Sequence, residues 1–264
     1  MSGNLTRPHE VDVLAFGAHS DDVELGCGGL LIKLGRAGYR TGIVDLTRGE
    51  LNSRATPEVI EREAEAAAKI LGVSFRERLD LGDARLQDSF ENRRLIAELI
   101  RRHRPKLVLA PYFGDRHPDH AVSGLLVRNA QLHCRLRRLE ASYPPHAPKL
   151  LLFYFMHDYV PPTLVVDITD CFEEKMQAIR TYQSQFGQGL AVGASSGQDR
   201  DRDRDQDRDL MDPLGIGDYI FHIESRCRFY GSLINVRYGE AFLAPGPLGL
   251  ADLGPLLGEP SGDT

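Results

Sequence analysis

The chain has 264 residues, of which 42% are hydrophobic and 27% charged, with a formal net charge of −6. That length suits one large α/β domain with its own core, and the acidic balance excludes the basic footprint of a nucleic-acid binder. No apolar run approaches the roughly 20 residues that cross a bilayer, and Met1 to Glu10 lack the apolar centre of a signal peptide. The four cysteines, Cys27, Cys134, Cys171 and Cys227, are scattered and form no CxxC pair. A cytoplasmic protein with reduced thiols and no membrane or nucleic-acid partner is therefore expected.

Val11 to Ala18 is an apolar run that reads as a buried strand. It stops at His19, Ser20, Asp21 and Asp22, after which Gly26, Gly28 and Gly29 open a helix to about Arg36. The G-x-G-x-x-G spacing of a dinucleotide site is absent, so these glycines point to close packing of helix on strand. Glu24, just past the cluster, suits either a residue that orients a ligand or a first-turn acid favoured by the helix dipole. Thr41 to Thr47 is a second strand, followed by a polar loop with Arg48, Glu50 and Arg54. Thr56, Pro57 and Glu58 mark the start of a helix to about Leu71, with Thr56 as N-cap. Arg76 to Leu81 reads as strand three, ending at Gly82-Asp83. Glu91 to His103 reads as a helix with Leu95, Ile96, Leu99 and Ile100 on its core face.

Pro105 to Pro111 is a fourth strand, and Asp115-Arg-His-Pro-Asp-His120 follows it before a helix from Ala121 to about Cys134. Lys149 to Met156 and Leu164 to Ile168 are further strands. Thr169 to Phe186 and Asp218 to about Val236 read as helices. Strands alternating with helices predict a Rossmann-like three-layer α/β sandwich with a mostly parallel sheet. The chain reads as one domain over 1–264. The Asp/Arg-rich run within 197–210 has no apolar face to dock, and a disordered insertion is expected there.

Two clusters of histidine and aspartate thus lie just past the carboxyl ends of strands one and four, where open α/β sheets bind ligands. A shared metal site follows if the two strands are neighbours. Adjacent carboxylates such as Asp21 and Asp22 repel when both are ionised, and a divalent cation that takes one leaves the other free as a base.

Ala18-His-Ser-Asp-Asp22 with Glu24 and Gly26, together with His117-Pro-Asp-His120, resembles the zinc-dependent N-acetylglucosamine (GlcNAc) deacetylases of the LmbE-like (PIG-L) family. The resemblance runs from about residue 10 to about 250. Asp45 to Glu50, Pro111 to His117, Tyr182 to Phe186 and Tyr238 to Phe242 resemble the branch that deacetylates N-acetylglucosaminyl malate in bacillithiol biosynthesis.

The resemblance implies Zn²⁺ on His19, Asp22 and His120, although Fe²⁺, Co²⁺ or Mn²⁺ would accept the same ligands. It implies Asp21 as general base, and His117, held by Asp119, as the group that stabilises the oxyanion or protonates the leaving amine. Whether Asp21 or His117 delivers that proton stays open. Tyr219 matches a tyrosine that donates to the oxyanion. Arg48, Glu50, Arg54 and Arg116 are candidate substrate contacts, since arginine suits the two carboxylates of a malyl group. One departure is Ile60, where the family often carries arginine; Arg62 is two residues out of register. Other GlcNAc conjugates, chitobiose-like or mycothiol-type, are alternative substrates, and a sugar-binding protein without turnover is the alternative class. The family implies a homo-oligomer, trimer or hexamer.

Overall fold

The computed structural model describes residues 10–187 and 219–249. The expected insertion at 197–210 lies outside the described residues. Among the described residues seven strands form one sheet in the order β3-β2-β1-β4-β5-β7-β6. They are β1 Val13–Gly17, β2 Thr41–Asp45, β3 Phe75–Arg78, β4 Leu107–Pro111, β5 Leu150–Tyr154, β6 Leu164–Asp167 and β7 Gly239–Leu243. The first five pair in parallel, and β7 runs antiparallel between β5 and β6. The sheet is mostly parallel, as the alternation of elements implies.

Among the described residues the helices are α1 Asp22–Arg36, α2 Pro57–Leu71, α3 Phe90–His103, α4 Pro118–Arg135, α5 Phe172–Arg180, α6 Gln183–Phe186 and α7 Tyr219–Ser232. Side chains alternate across a strand, so β1 feeds two cores. Val13 and Ala15 pack with residues of α1, α2, α5 and α7. Leu14 and Phe16 pack with residues of α3 and α4. Both faces of the sheet are covered, which explains why its central strands read as continuous apolar runs. No helix among the described residues is long and apolar enough to cross a membrane.

Close approach accounts for the glycines of α1. A Cβ at Gly26 would lie 2.0 Å from the Tyr154 ring, and one at Gly29 would lie 2.8 Å from Ile168 Cγ2. The tight packing expected from sequence is therefore present.

Several boundaries differ from expectation. The stretch from Thr169 to Phe186 is two helices, because Thr181 Oγ1 donates to the Ala178 carbonyl at 2.7 Å and Tyr182 leaves helical geometry at φ −78°, ψ 64°. Strand three begins at Phe75 and stops at Arg78, where its pairing with β2 ends at Asp45. Thr56 is the N-cap of α2, but its hydroxyl makes no capping bond; its carbonyl accepts from Val59 and Ile60 instead. Leu95 is 42% exposed, and α3 instead buries Ile96, Ala97, Leu99 and Ile100. Strand β7, Gly239–Leu243, has an apolar pattern too short to stand out in sequence.

Candidate metal centre

Strands β1 and β4 are adjacent, and the chain turns away from them in opposite directions across the sheet, to β2 and to β5. The crevice at their carboxyl ends is the switch point of the fold. The β1–α1 turn brings His19 and Asp22 to it, and the start of α4 brings His120.

Three donor atoms converge there. Asp22 Oδ1 lies 3.2 Å from His120 Nε2 and 3.7 Å from His19 Nδ1, and the two nitrogens are 3.3 Å apart. Donors bound tetrahedrally at about 2.0–2.1 Å from a zinc ion are about 3.3 Å from one another. The set therefore fits such an ion.

The other atom of each donor group is already engaged, which fixes its orientation. Asp22 Oδ2 accepts from the amides of Ala18 at 2.8 Å and His19 at 3.0 Å. His120 Nδ1 faces Asp115 Oδ1 at 3.2 Å. His19 Nε2 faces Asp83 Oδ1 and Asp119 Oδ2, each at 3.4 Å. When each outer nitrogen donates to its carboxylate and a cation replaces the inner proton, both imidazoles turn a lone pair to the converging point.

The charge balance also favours a cation. Burial opposes the imidazolium of His120, yet Asp22 and Asp115 raise it to about 9. Burial likewise opposes charge on His19, and Asp22, Asp119 and Asp83 overcome it. Burial resists the charge on Asp22, but His120 and His19 hold its carboxyl well below the usual range. Asp21 is the exception. Burial, then the neighbouring charge of Asp22, lifts it to about 7. It is the N-cap of α1, yet its side chain makes no capping hydrogen bond.

His117 stacks on His120 with ring centroids 4.4 Å apart, and burial and the nearby His120 and His19 lower it to about 4. Asp119 does not hold it, contrary to expectation. Its Oδ2 accepts from the Ala84 amide at 2.8 Å and faces His19, while His117 Nδ1 is buried without a hydrogen-bond partner. The cause is the positive-φ turn at Ala84, which points an amide at the start of α4.

The other expected residues are spread around the crevice. Tyr219 is half-buried, stacks on Phe186 at 5.6 Å, and is raised to about 12 by burial. Glu50 accepts from the Asp83 amide at 2.8 Å, so it braces the loop that faces His19. Arg54 Nη1 donates to the Gln185 carbonyl at 2.9 Å. Arg48 is exposed, 3.8 Å from Asp80. The Arg116 side chain is exposed, while its amide donates to Asp158 Oδ2 at 3.0 Å. Ile60 is buried, within reach of Gly49, and Arg62 is exposed.

Four contributors lie outside the expected set. Asp115 Oδ1 accepts from the His117 amide at 2.9 Å and faces His120 Nδ1 at 3.2 Å and His157 Nδ1 at 2.9 Å. Burial opposes its charge, but His120 and His157 hold the carboxyl far below the usual range. Asp83 and His157 each follow a strand at the same sheet edge, the one signal that could have found them. Arg76, on β3, is buried against Glu24 at 2.7 Å and Asp45 at 2.7 Å. Glu24 is a first-turn acid of α1, as one of the two expectations had it, and it also pairs with Arg76 and accepts from the Tyr182 hydroxyl at 3.0 Å.

Comparison with known proteins gives the family and the fold. The PIG-L family model, described as GlcNAc-PI de-N-acetylase, matches residues 14–131. The chain is 35% identical over 195 residues to the diacetylchitobiose deacetylase of Thermococcus kodakarensis, covering 67% of this chain and 71% of that one. The fold matches a conserved protein of Thermus thermophilus with TM-score 0.77 and 34% identity, over 92% of this chain and 99% of the other. It also matches the inhibitor-bound N,N'-diacetylchitobiose deacetylase of Pyrococcus horikoshii with TM-score 0.68 and 27% identity, over 92% and 87%.

Proposed function

The chain belongs to the PIG-L family and is an N-deacetylase, and we propose that it hydrolyses the N-acetyl amide of a GlcNAc conjugate at the crevice between β1 and β4. The observation that carries this reading is the convergence of His19 Nδ1, Asp22 Oδ1 and His120 Nε2 beside a second carboxylate, Asp21, that caps nothing. Those three residues would hold a divalent cation, Zn²⁺ by resemblance. Bound there, it supplies Lewis acidity toward the acetyl oxygen and toward a water molecule.

The protein's own groups do the rest. Asp21 takes the proton from the attacking water, a task for a base with a pKa near the working pH. His117, half-buried and unpaired at Nδ1, offers a ring nitrogen to the oxyanion or the departing amine. The Tyr219 hydroxyl, kept neutral by burial, is a further donor to the oxyanion. Asp119 acts through His19.

For the aglycone we favour N-acetylglucosaminyl malate. The exposed side chains of Arg116 and Arg48 suit carboxylates, and the stretches that carry them, Asp45 to Glu50 and Pro111 to His117, run from the carboxyl ends of β2 and β4. A chitobiose-like sugar is the second reading, favoured by the 35% identical relative that acts on diacetylchitobiose. A cytoplasmic location and a trimeric or hexameric assembly accompany the first reading. The test is release of primary amine from N-acetylglucosaminyl malate, diacetylchitobiose and a mycothiol-type glycoside. Highest kcat/KM on the malate conjugate is expected. Preference for the neutral disaccharide would select the second reading, and no release from any conjugate would overturn both.

A further inference from the structure

We propose that Arg76 and Tyr182 are positioning residues that grip the Ser20 carbonyl and so set the place of the Asp21 carboxylate. Arg76 Nη2 and the Tyr182 hydroxyl both reach the Ser20 carbonyl oxygen. That oxygen belongs to the peptide linking Ser20 to Asp21. Because the peptide is planar, holding its oxygen also orients the Asp21 nitrogen and Cα.

The grip is itself over-determined. The guanidinium of Arg76 has five N–H donors. Nε donates to Asp45 Oδ2 at 2.7 Å, and Nη2 to Asp45 Oδ1 at 2.9 Å and to Ser20. Nη1 donates to Glu24 Oε1 at 2.7 Å and to the Ala64 carbonyl at 3.2 Å. Every donor has an acceptor, and the acceptors come from β2, α1, α2 and the turn itself. Lysine has three donors and no fork, so it cannot reproduce this set. Tyr182 is 1% exposed and sits where the chain breaks between α5 and α6. That break aims its hydroxyl at Ser20.

The neighbouring metal ligand is held by other means. Asp22 Oδ2 is fixed by the amides of Ala18 and His19, and neither bond involves Arg76 or Tyr182. The two adjacent carboxylates therefore have separate restraints. Loosening the grip on Ser20 should displace the base and leave the metal ligands in place. A misplacement of about 1 Å can cost on the order of 10²-fold in rate.

This inference rests on the deacetylase reading for its catalytic consequence but not for its structural one. The experiment uses Tyr182→Phe, which removes one hydroxyl and keeps the ring, and Arg76→Lys as a second variant. Hydrogen–deuterium exchange is followed in the peptide covering residues 17–24, with one from α3 as control. Exchange in the first should rise about tenfold with the control unchanged. Metal per chain should match the parent protein, kcat should fall about tenfold, and KM should stay within about twofold. Arg76→Lys should show the same pattern more strongly. Unchanged exchange in residues 17–24 for both variants overturns the grip, whatever the substrate proves to be. Raised exchange with unchanged kcat on an active substrate overturns its role in placing Asp21. An inactive parent protein counts against the deacetylase reading, and the exchange result still decides the grip.

Discussion

Oδ1 of Asp22 lies 3.2 Å from Nε2 of His120, and the two residues stand in the first turns of different helices, α1 and α4. Neither helix alone carries a site. The parallel pairing of β1 with β4 brings their starts together. Removing one of three donors leaves no spare, so His120→Ala should lower metal content and turnover together, each by at least about tenfold. Metal analysis after gel filtration checks this. Full occupancy in the variant would contradict the proposed ligand set.

Asp115 orients three neighbours at once: the His117 amide and the imidazoles of His120 and His157. Asp115→Ala should weaken metal retention by about 10- to 100-fold, the usual effect of losing a carboxylate behind a ligating histidine. Competition with a chromogenic chelator measures it. His157→Ala should have a smaller effect, since it removes only one donor to Asp115.

Gly26→Ala tests the packing of α1 on the sheet. The added methyl would meet the Tyr154 ring, whose hydroxyl is tied to the Phe16 carbonyl at 2.8 Å and cannot move freely. Overpacking of this kind costs about 1–3 kcal/mol, more where the neighbour is fixed. Denaturant unfolding should show a loss at the upper end of that range. A midpoint unchanged from the parent would mean that Tyr154 shifts without strain.

The strand ends and the metal cluster were legible in sequence because both are local. An apolar run stops, and His or Asp follows it, as at His19 and His120. What was hidden depends on tertiary contact. Arg76 looks like any strand arginine until β3 pairs with β2 and places it against Asp45, Glu24 and Ser20. His157 is a lone histidine in sequence, and only β5 alignment brings it to Asp115. The pairing of Asp119 with His117 is an implication of the family resemblance. The Ala84 amide competes for Asp119 and turns it to His19, a relation invisible along one strand of sequence. The helix break at Tyr182 was missed because a hydroxyl contact with Ser20, not a proline or glycine, accompanies it.

Glu77, away from the crevice, ties stability to pH. Burial opposes its charge, but the His103 hydrogen bond and the Arg102 charge win, and the carboxyl sits below its usual value of 4.5. A depressed folded-state pKa means that the carboxylate stabilises the fold above the unfolded value and that this contribution fades as pH falls through the folded one. Glu77→Gln should therefore lower the urea midpoint at pH 7, and the gap from the parent should narrow from about pH 5 downward. A gap that stays constant between pH 7 and pH 4 would show that the ion pair is not its source.

The two adjacent carboxylates are assigned different work: Asp22 holds the metal and Asp21 moves the proton. Metal content and turnover of Asp21→Asn and Asp22→Asn, measured side by side, test this most directly. Asp21→Asn should keep the metal content of the parent and lose about 10²-fold or more in kcat, the usual contribution of a general base. Asp22→Asn should lose metal first, with activity partly restored at high zinc. An Asp21→Asn variant that empties the site while Asp22→Asn stays loaded and slow would reverse the assignments, and normal turnover by Asp21→Asn would contradict the hydrolytic mechanism itself.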